Sequence, residues 1–154
     1  MDYYEPTVEK YIASDRRTFI STQFWIPLPL PTKSDGGVWV DAIAINIRDR
    51  LCHLCETTFA RDPKVILNKI NIYNAERERI RFFLQEQAGL PAQWELRPWL
   101  FLLRQTAGKL IPKLAPGLYP KIIYLEYTAP WFYPNGFREV EPGKPYDDLP
   151  AEFQ

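Results

Sequence analysis

Residues 62–89 read DPKVILNKINIYNAERERIRFFLQEQAG, and how they are wound decides the architecture of the chain. At about 100° per residue, Val65, Ile66, Ile70, Tyr73, Ile80, Phe83 and Leu84 fall within one stripe, which leaves Leu67, Ile72 and Phe82 outside it. The ends carry helix punctuation. Asp62 can accept from the first free N–H groups, Pro63 suits the first turn, and Gly89 can take the left-handed conformation that closes the last one. A competing reading makes residues 64–73 a strand, because Val65, Ile66, Ile70 and Ile72 are β-branched, with Asn74 capping a shorter helix over 75–88. Alternation in that decapeptide is poor, so the spacing favours one long helix.

Upstream, Asp41 is placed to cap a second long helix running to about Arg61, with Ile43, Ile47, Leu51, Leu54, Cys55 and Thr58 as its apolar stripe. The break at Asp62 and Pro63 would then join the two helices in a hairpin or corner. Further upstream, Pro6 and the i, i+3, i+4 spacing of Val8, Tyr11 and Ile12 predict a short helix over 6–15. From Thr18 the period becomes two, with Ile20, Phe24 and Ile26 opposite Ser21 and Gln23, which predicts a strand. It runs into Pro27, Pro29 and Pro31, which cannot donate to a sheet ladder, so residues 24–37 read as an extended arm followed by a Ser, Asp and Gly tip. A short strand at 38–40 can pair back.

Downstream of Gly89, Pro91 and Pro98 mark a turn and a fresh start, and residues 99–107 are apolar on nearly every side, as in a short buried helix. Residues 121–128, KIIYLEYT, form the clearest strand. Residues 129–154 hold five prolines together with Trp131, Phe132, Tyr133, Phe137, Tyr146 and Phe153, too aromatic for a solvated linker. The expected fold is therefore α+β: two long helices plus a short buried helix packed on a small sheet, in one globular domain over 1–128 that includes the extended arm at 24–37. A Pro- and aromatic-rich C-terminal arm over 129–154 completes it.

Bulk composition narrows the functional classes. Nineteen basic and nineteen acidic side chains cancel in 154 residues, so no global field draws the molecule to nucleic acid or to an anionic membrane. The first residues, MDYYEPTVEK, lack the apolar core of a signal peptide, and the longest apolar run, 99–103, is far short of the roughly 20 residues that span a bilayer. The expectation is a chain in the cytoplasm, or in a particle assembled there, with no membrane partner. Two cysteines are too few for a disulfide framework.

Catalytic motifs are thin. Cys52, His53 and Cys55 form the only C-x-x-C, yet a structural zinc wants four ligands, and a redox pair wants a helix N-terminus. The pair reads as buried apolar groups, and His53, one helical turn after Asp49, as a surface ion pair. The three serines sit in no G-x-S-x-G elbow, and the chain has neither phosphate-cradling glycine motif. No cofactor, metal or small-molecule substrate is expected.

Charge distribution says more than charge total. Between Glu95 and Glu126 there is no acid, while Arg97, Arg104, Lys109, Lys113 and Lys121 are basic; in residues 138–154 acids outnumber bases. Docking of the acidic, aromatic tail on the basic stretch of another copy would be a head-to-tail contact, which builds rings or stacks. The expected function is a non-enzymatic structural or adaptor subunit of a multi-copy assembly, most specifically a virion tail or neck component, an analogy from architecture. Its partners would be copies of itself or adjacent subunits, gripped by Trp25, Leu28, Trp131, Phe132, Tyr133, Phe137 and Tyr146. The same arms can instead wrap their own domain. Two alternatives stand beside it: a nucleic-acid-binding accessory protein using Arg97, Arg104, Lys109 and Lys113, and a small metal-dependent enzyme around Asp49, Cys52, His53 and Cys55.

Overall fold

A computed structural model describes residues 5–15, 17–29, 36–118 and 120–128. The chain runs α1 (Glu5–Ala13), β1 (Thr18–Pro27), β2 (Gly37–Asn46), β3 (Leu51–Thr58), α2 (Lys64–Ala75), α3 (Arg77–Ala88), β4 (Glu95–Leu102), α4 (Arg104–Leu110) and β5 (Lys121–Tyr124). Short 3-10 turns follow at Ile111–Lys113 and Leu125–Tyr127. The class is α+β, built on one five-stranded sheet in the order β1-β2-β3-β4-β5. β1, β2 and β3 form an antiparallel meander, whereas β4 lies parallel to β3 and β5 parallel to β4, so the helices between them are crossovers.

Helices cover both faces. On one, Val8, Tyr11 and Ile12 of α1 pack on Ala42, Ala44, Cys55, Trp99 and Phe101. On the other, Tyr73, Ile80 and Leu84 meet Ile43, Cys52, Leu54 and Leu96, and Ile66, Ile70 and Leu110 meet Leu100, Leu102, Ile122 and Tyr124. A sheet covered on both faces has apolar central strands, and this corrects the reading of 41–61 as a helix. Residues 52–56 of β3 are all buried, so Leu51, Leu54, Cys55 and Thr58 imitate a helical stripe while belonging to a strand apolar on both sides. The helical hairpin with 62–89 is lost with it.

The predicted helix at 99–107 is corrected for the same reason: Trp99, Leu100, Phe101 and Leu102 are completely buried in β4, and helix starts only at Arg104. Residues 62–89 are helical rather than stranded, but as two helices that part at Glu76 (φ −104°, ψ 19°). Asp62 accepts the Lys64 N–H at 2.9 Å, and Gly89 (φ 69°) closes α3, its N–H donating to the Gln85 carbonyl. The strand at 38–40 extends to 37–46, and the one at 121–128 ends at Tyr124. Residues 24–27 of the expected arm are ladder-paired in β1, with Trp25 opposite Trp39. The C-terminal arm over 129–154 lies outside the described residues.

Candidate functional site

β2 and β3 pair from Asn46↔Leu51 to Ala42↔Cys55. One residue further along each strand stand Asp41 and Glu56, and beyond them β2 stays with β1 while β3 stays with β4. The strands part here, and the Asp41 carboxylate takes over the ladder's role by accepting the Thr57 N–H at 2.9 Å. Opposite Asp41 on β1, Gln23 has φ +52°, and the regular pairing skips that step, from Thr22↔Ala42 to Phe24↔Val40. The face turned to the α2–α3 layer changes parity across the same step, with Ile43 on one side and Val40 and Val38 on the other. A local twist thus aims Asp41 away from regular pairing.

Glu56 points into the layer beneath α2. Its Oε2 accepts from Lys69 Nζ at 2.7 Å, and its Oε1 accepts from the Tyr73 hydroxyl. Lys69 and Tyr73 are four apart on α2, the spacing that sets two side chains one above the other. The Glu56 side chain is 3% exposed and the Lys69 side chain 23%, so the ammonium is the group that reaches solvent. Burial raises the Glu56 pKa from 4.5 to about 8; the Lys69 ammonium counters this, Asp41 adds to it, and the two donated hydrogen bonds again pull the other way. Burial, with Glu56 alongside, also pushes the Tyr73 hydroxyl well up, so Tyr73 stays a donor.

Chemically this is a buried carboxyl group on β3 held by one lysine and one tyrosine, with a second carboxyl group, Asp41, on the adjacent strand. The raised Glu56 pKa is chiefly the cost of burying the charged form, to which Asp41 adds. A hard divalent cation such as Mg²⁺ commonly takes one or two protein carboxylates and leaves its remaining positions to water and substrate phosphate. Asp41 would hold it, and Glu56 would join on exchanging its Lys69 or Tyr73 hydrogen bond for the cation. Among the described residues no cluster of three or more His, Cys, Asp or Glu offers a fuller ligand set.

The site lies at the end of the sheet where the parallel strands β3, β4 and β5 finish, the end where open sheets carry ligands. The segment after β3 is tied to α4: Thr106 Oγ1 donates to the Ala60 carbonyl at 2.7 Å, and Lys109 Nζ to the Arg61 carbonyl at 3.4 Å. After β4, the Arg104 guanidinium lies 5.0 Å from the Tyr124 ring centroid and donates to the Tyr127 hydroxyl at 2.8 Å. Phe59, Arg61, Lys64, Arg104, Lys109 and Tyr127 are all exposed along this rim.

The structure therefore divides the basic stretch seen in the sequence. Arg104 and Lys109 come to the end of the sheet that holds Glu56. Arg97, near the start of β4, belongs to the other end; Lys121, at the start of β5, is level with Trp99 and Cys55, one step from Glu56, but is 2% exposed, 3.7 Å from the Trp99 ring centroid. Lys113 is exposed beyond the far end of α4. Of the expected contact residues, Trp25 stacks obliquely on Trp39 at 5.3 Å, and Leu28 is buried in this chain's own core. Trp131, Phe132, Tyr133, Phe137 and Tyr146 lie outside the described residues.

The Asp49, Cys52, His53 and Cys55 grouping loses its geometry once the segment is a strand. Cys52 joins the α3-side core and Cys55 the α1-side core, so the two thiols face opposite ways. Burial raises the Cys52 pKa to about 12 and pushes Cys55 well up. His53 is buried with its ring 4.9 Å from that of Trp99, and Asp49 pairs with Arg48 in the β2–β3 turn. Sequence reasoning missed Asp41 and Glu56 because fifteen positions separate them and only strand register unites them. The legible signal was the i, i+4 pair Lys69 and Tyr73, two polar groups on the apolar side of a helix. Comparisons with protein families, with curated proteins and with solved structures find no match for this chain.

Proposed function

We propose that this chain is a divalent-cation-dependent hydrolase of phosphodiester bonds in nucleic acid, centred on Asp41, Glu56 and Lys69. The observation that carries this reading is the Lys69–Glu56 pair, with Asp41 acting on Glu56 from the adjacent strand, where β2 and β3 part. A bound cation would polarise the phosphoryl group and lower the pKa of a coordinated water. Lys69, its side chain 23% exposed against 3% for Glu56, supplies a point charge for a non-bridging phosphate oxygen. Asp41 keeps its carboxylate fixed through the Thr57 N–H, and Tyr73 fixes one Glu56 oxygen. Arg61, Lys64, Arg104 and Lys109 along the rim supply phosphate contacts, and exposed Phe59 a face for an unstacked base.

The test is cleavage of labelled DNA and RNA oligonucleotides with Mg²⁺ or Mn²⁺, against EDTA, alongside Glu56→Gln purified identically. Wild type should cleave and the variant should lose about a hundredfold or more. Wild-type protein that binds neither cation by calorimetry, or cleaves no faster than Glu56→Gln, would sink the reading.

A second reading, the assembly subunit, draws on the exposed apolar surface: Trp39 is 53% exposed beside Trp25, and Phe82 is 63% exposed on α3. Its partners would be further copies of the chain, and oligomeric mass is its test.

A further inference from the structure

Between the β1–β2–β3 meander and α3 lies a cavity of about 150 Å³, separate from the carboxylate site. We infer that this cavity is a binding site for a small, uncharged, apolar molecule of roughly the size of a single aromatic ring. Size comes first: about 150 Å³ is the volume at which an enclosed apolar cavity accepts benzene. The walls are aliphatic and aromatic side chains, with Ile43 and Ile45 of the sheet facing Leu84 of α3 and Phe19 at the side. No charged residue lines it, so a carboxylate or ammonium entering would shed its hydration for nothing in return. The side-chain polar atoms in the lining are the Ser21 hydroxyl and the Cys52 thiol. That thiol stays protonated and acts as part of the apolar wall.

Two features say that the space is an entered pocket and not a packing fault. Phe19 is 60% exposed although it lines the cavity, and Ser21 and Ala88 beside it are exposed as well, so the mouth opens to solvent between β1 and the last turn of α3. Both of these mouth positions hold small residues where a leucine would fill the void. Apolar walls left facing solvent forgo the stabilisation of burial. A ligand that occupies the space recovers the lost contacts. The pocket shares β2 and β3 with the carboxylate pair, Ile43 lying two residues from Asp41 and Cys52 four from Glu56, but its occupancy does not rest on the hydrolase reading.

Fluorobenzene, followed by ¹⁹F NMR on the full chain, is the probe, with 4-fluorobenzoate as its charged counterpart. Saturable fluorobenzene binding at least tenfold tighter than fluorobenzoate binding is expected, with Ser21→Leu and Ala88→Leu each weakening it at least tenfold. Both variants fill a surface-connected space, and a cooperative thermal transition in either one suffices to interpret it. Absence of saturable fluorobenzene binding, equal affinity for the two probes, or unchanged binding in a folded filled variant would overturn the assignment.

Discussion

Glu56 is a carboxyl group with both oxygens engaged and almost no solvent, and its titration should be visible in the stability of the fold. The groups that face it are Asp41 from β2 and Lys69 and Tyr73 from α2. In the folded chain its pKa is about 8, against 4.5 as the ordinary value, so between those limits the folded state holds a proton that the unfolded state has released. The stability tied to that proton is complete below about pH 4.5 and is lost as pH rises through 8. Urea midpoints measured in EDTA should therefore fall between pH 5 and 8, by an amount on the order of a few kcal/mol, and Glu56→Gln should flatten that part of the profile. Parallel profiles for the two proteins would show that Glu56 is not the source. Tyr73→Phe removes a buried donor and leaves Glu56 Oε1 without that bond, which should cost about 1–3 kcal/mol. None of this was readable from spacing. Lys69 and Tyr73 are spaced as a helical pair, but the acid they serve is reached only through strand register.

At the scale of elements, the chain was legible where one face is solvated and opaque where both are covered. α1, β1 and the paired helices α2 and α3 show their period because half of each is exposed. β3 and β4 are buried on both sides, so their apolar residues occur at helical as well as strand spacings and the signal fails. The break at Glu76 was equally hidden, since residues 62–89 hold neither Gly nor a second Pro before Gly89. Close approach makes one glycine testable. Gly37 pairs with Pro27 beneath Trp25, and a Cβ there would stand 2.4 Å from the Ile26 carbonyl oxygen and 2.6 Å from the Trp25 ring. Gly37→Ala should force the end of the β1–β2 ribbon apart, cost about 1–3 kcal/mol, and change Trp25 fluorescence. An unchanged unfolding midpoint would mean the ribbon yields freely.

For the whole molecule, the sheet order explains why the site sits where it does. A meander followed by two parallel crossovers brings the ends of β1, β3, β4 and β5 and the start of β2 to one end of the sheet, and Trp25, Trp39, Asp41, Glu56 and Arg104 with them. Among the described residues, the three core clusters that hold this sheet draw on residues 8–125. A chain ending at Thr128 separates the two functional readings, because they assign different tasks to residues 129–154, and it is expected to unfold cooperatively. If the chain is an assembly subunit held by Trp131, Phe132, Tyr133 and Tyr146, light scattering should show the truncated form at lower mass than the full chain, with its fold intact by circular dichroism. Unchanged mass removes that reading. The hydrolase reading places cation binding in Asp41 and Glu56 alone, so the same truncation should keep Mn²⁺ affinity within about threefold of the full chain, whatever happens to the mass. Loss of Mn²⁺ binding in a truncated protein that still folds would mean that the two carboxylates on β2 and β3 do not make the cation site by themselves.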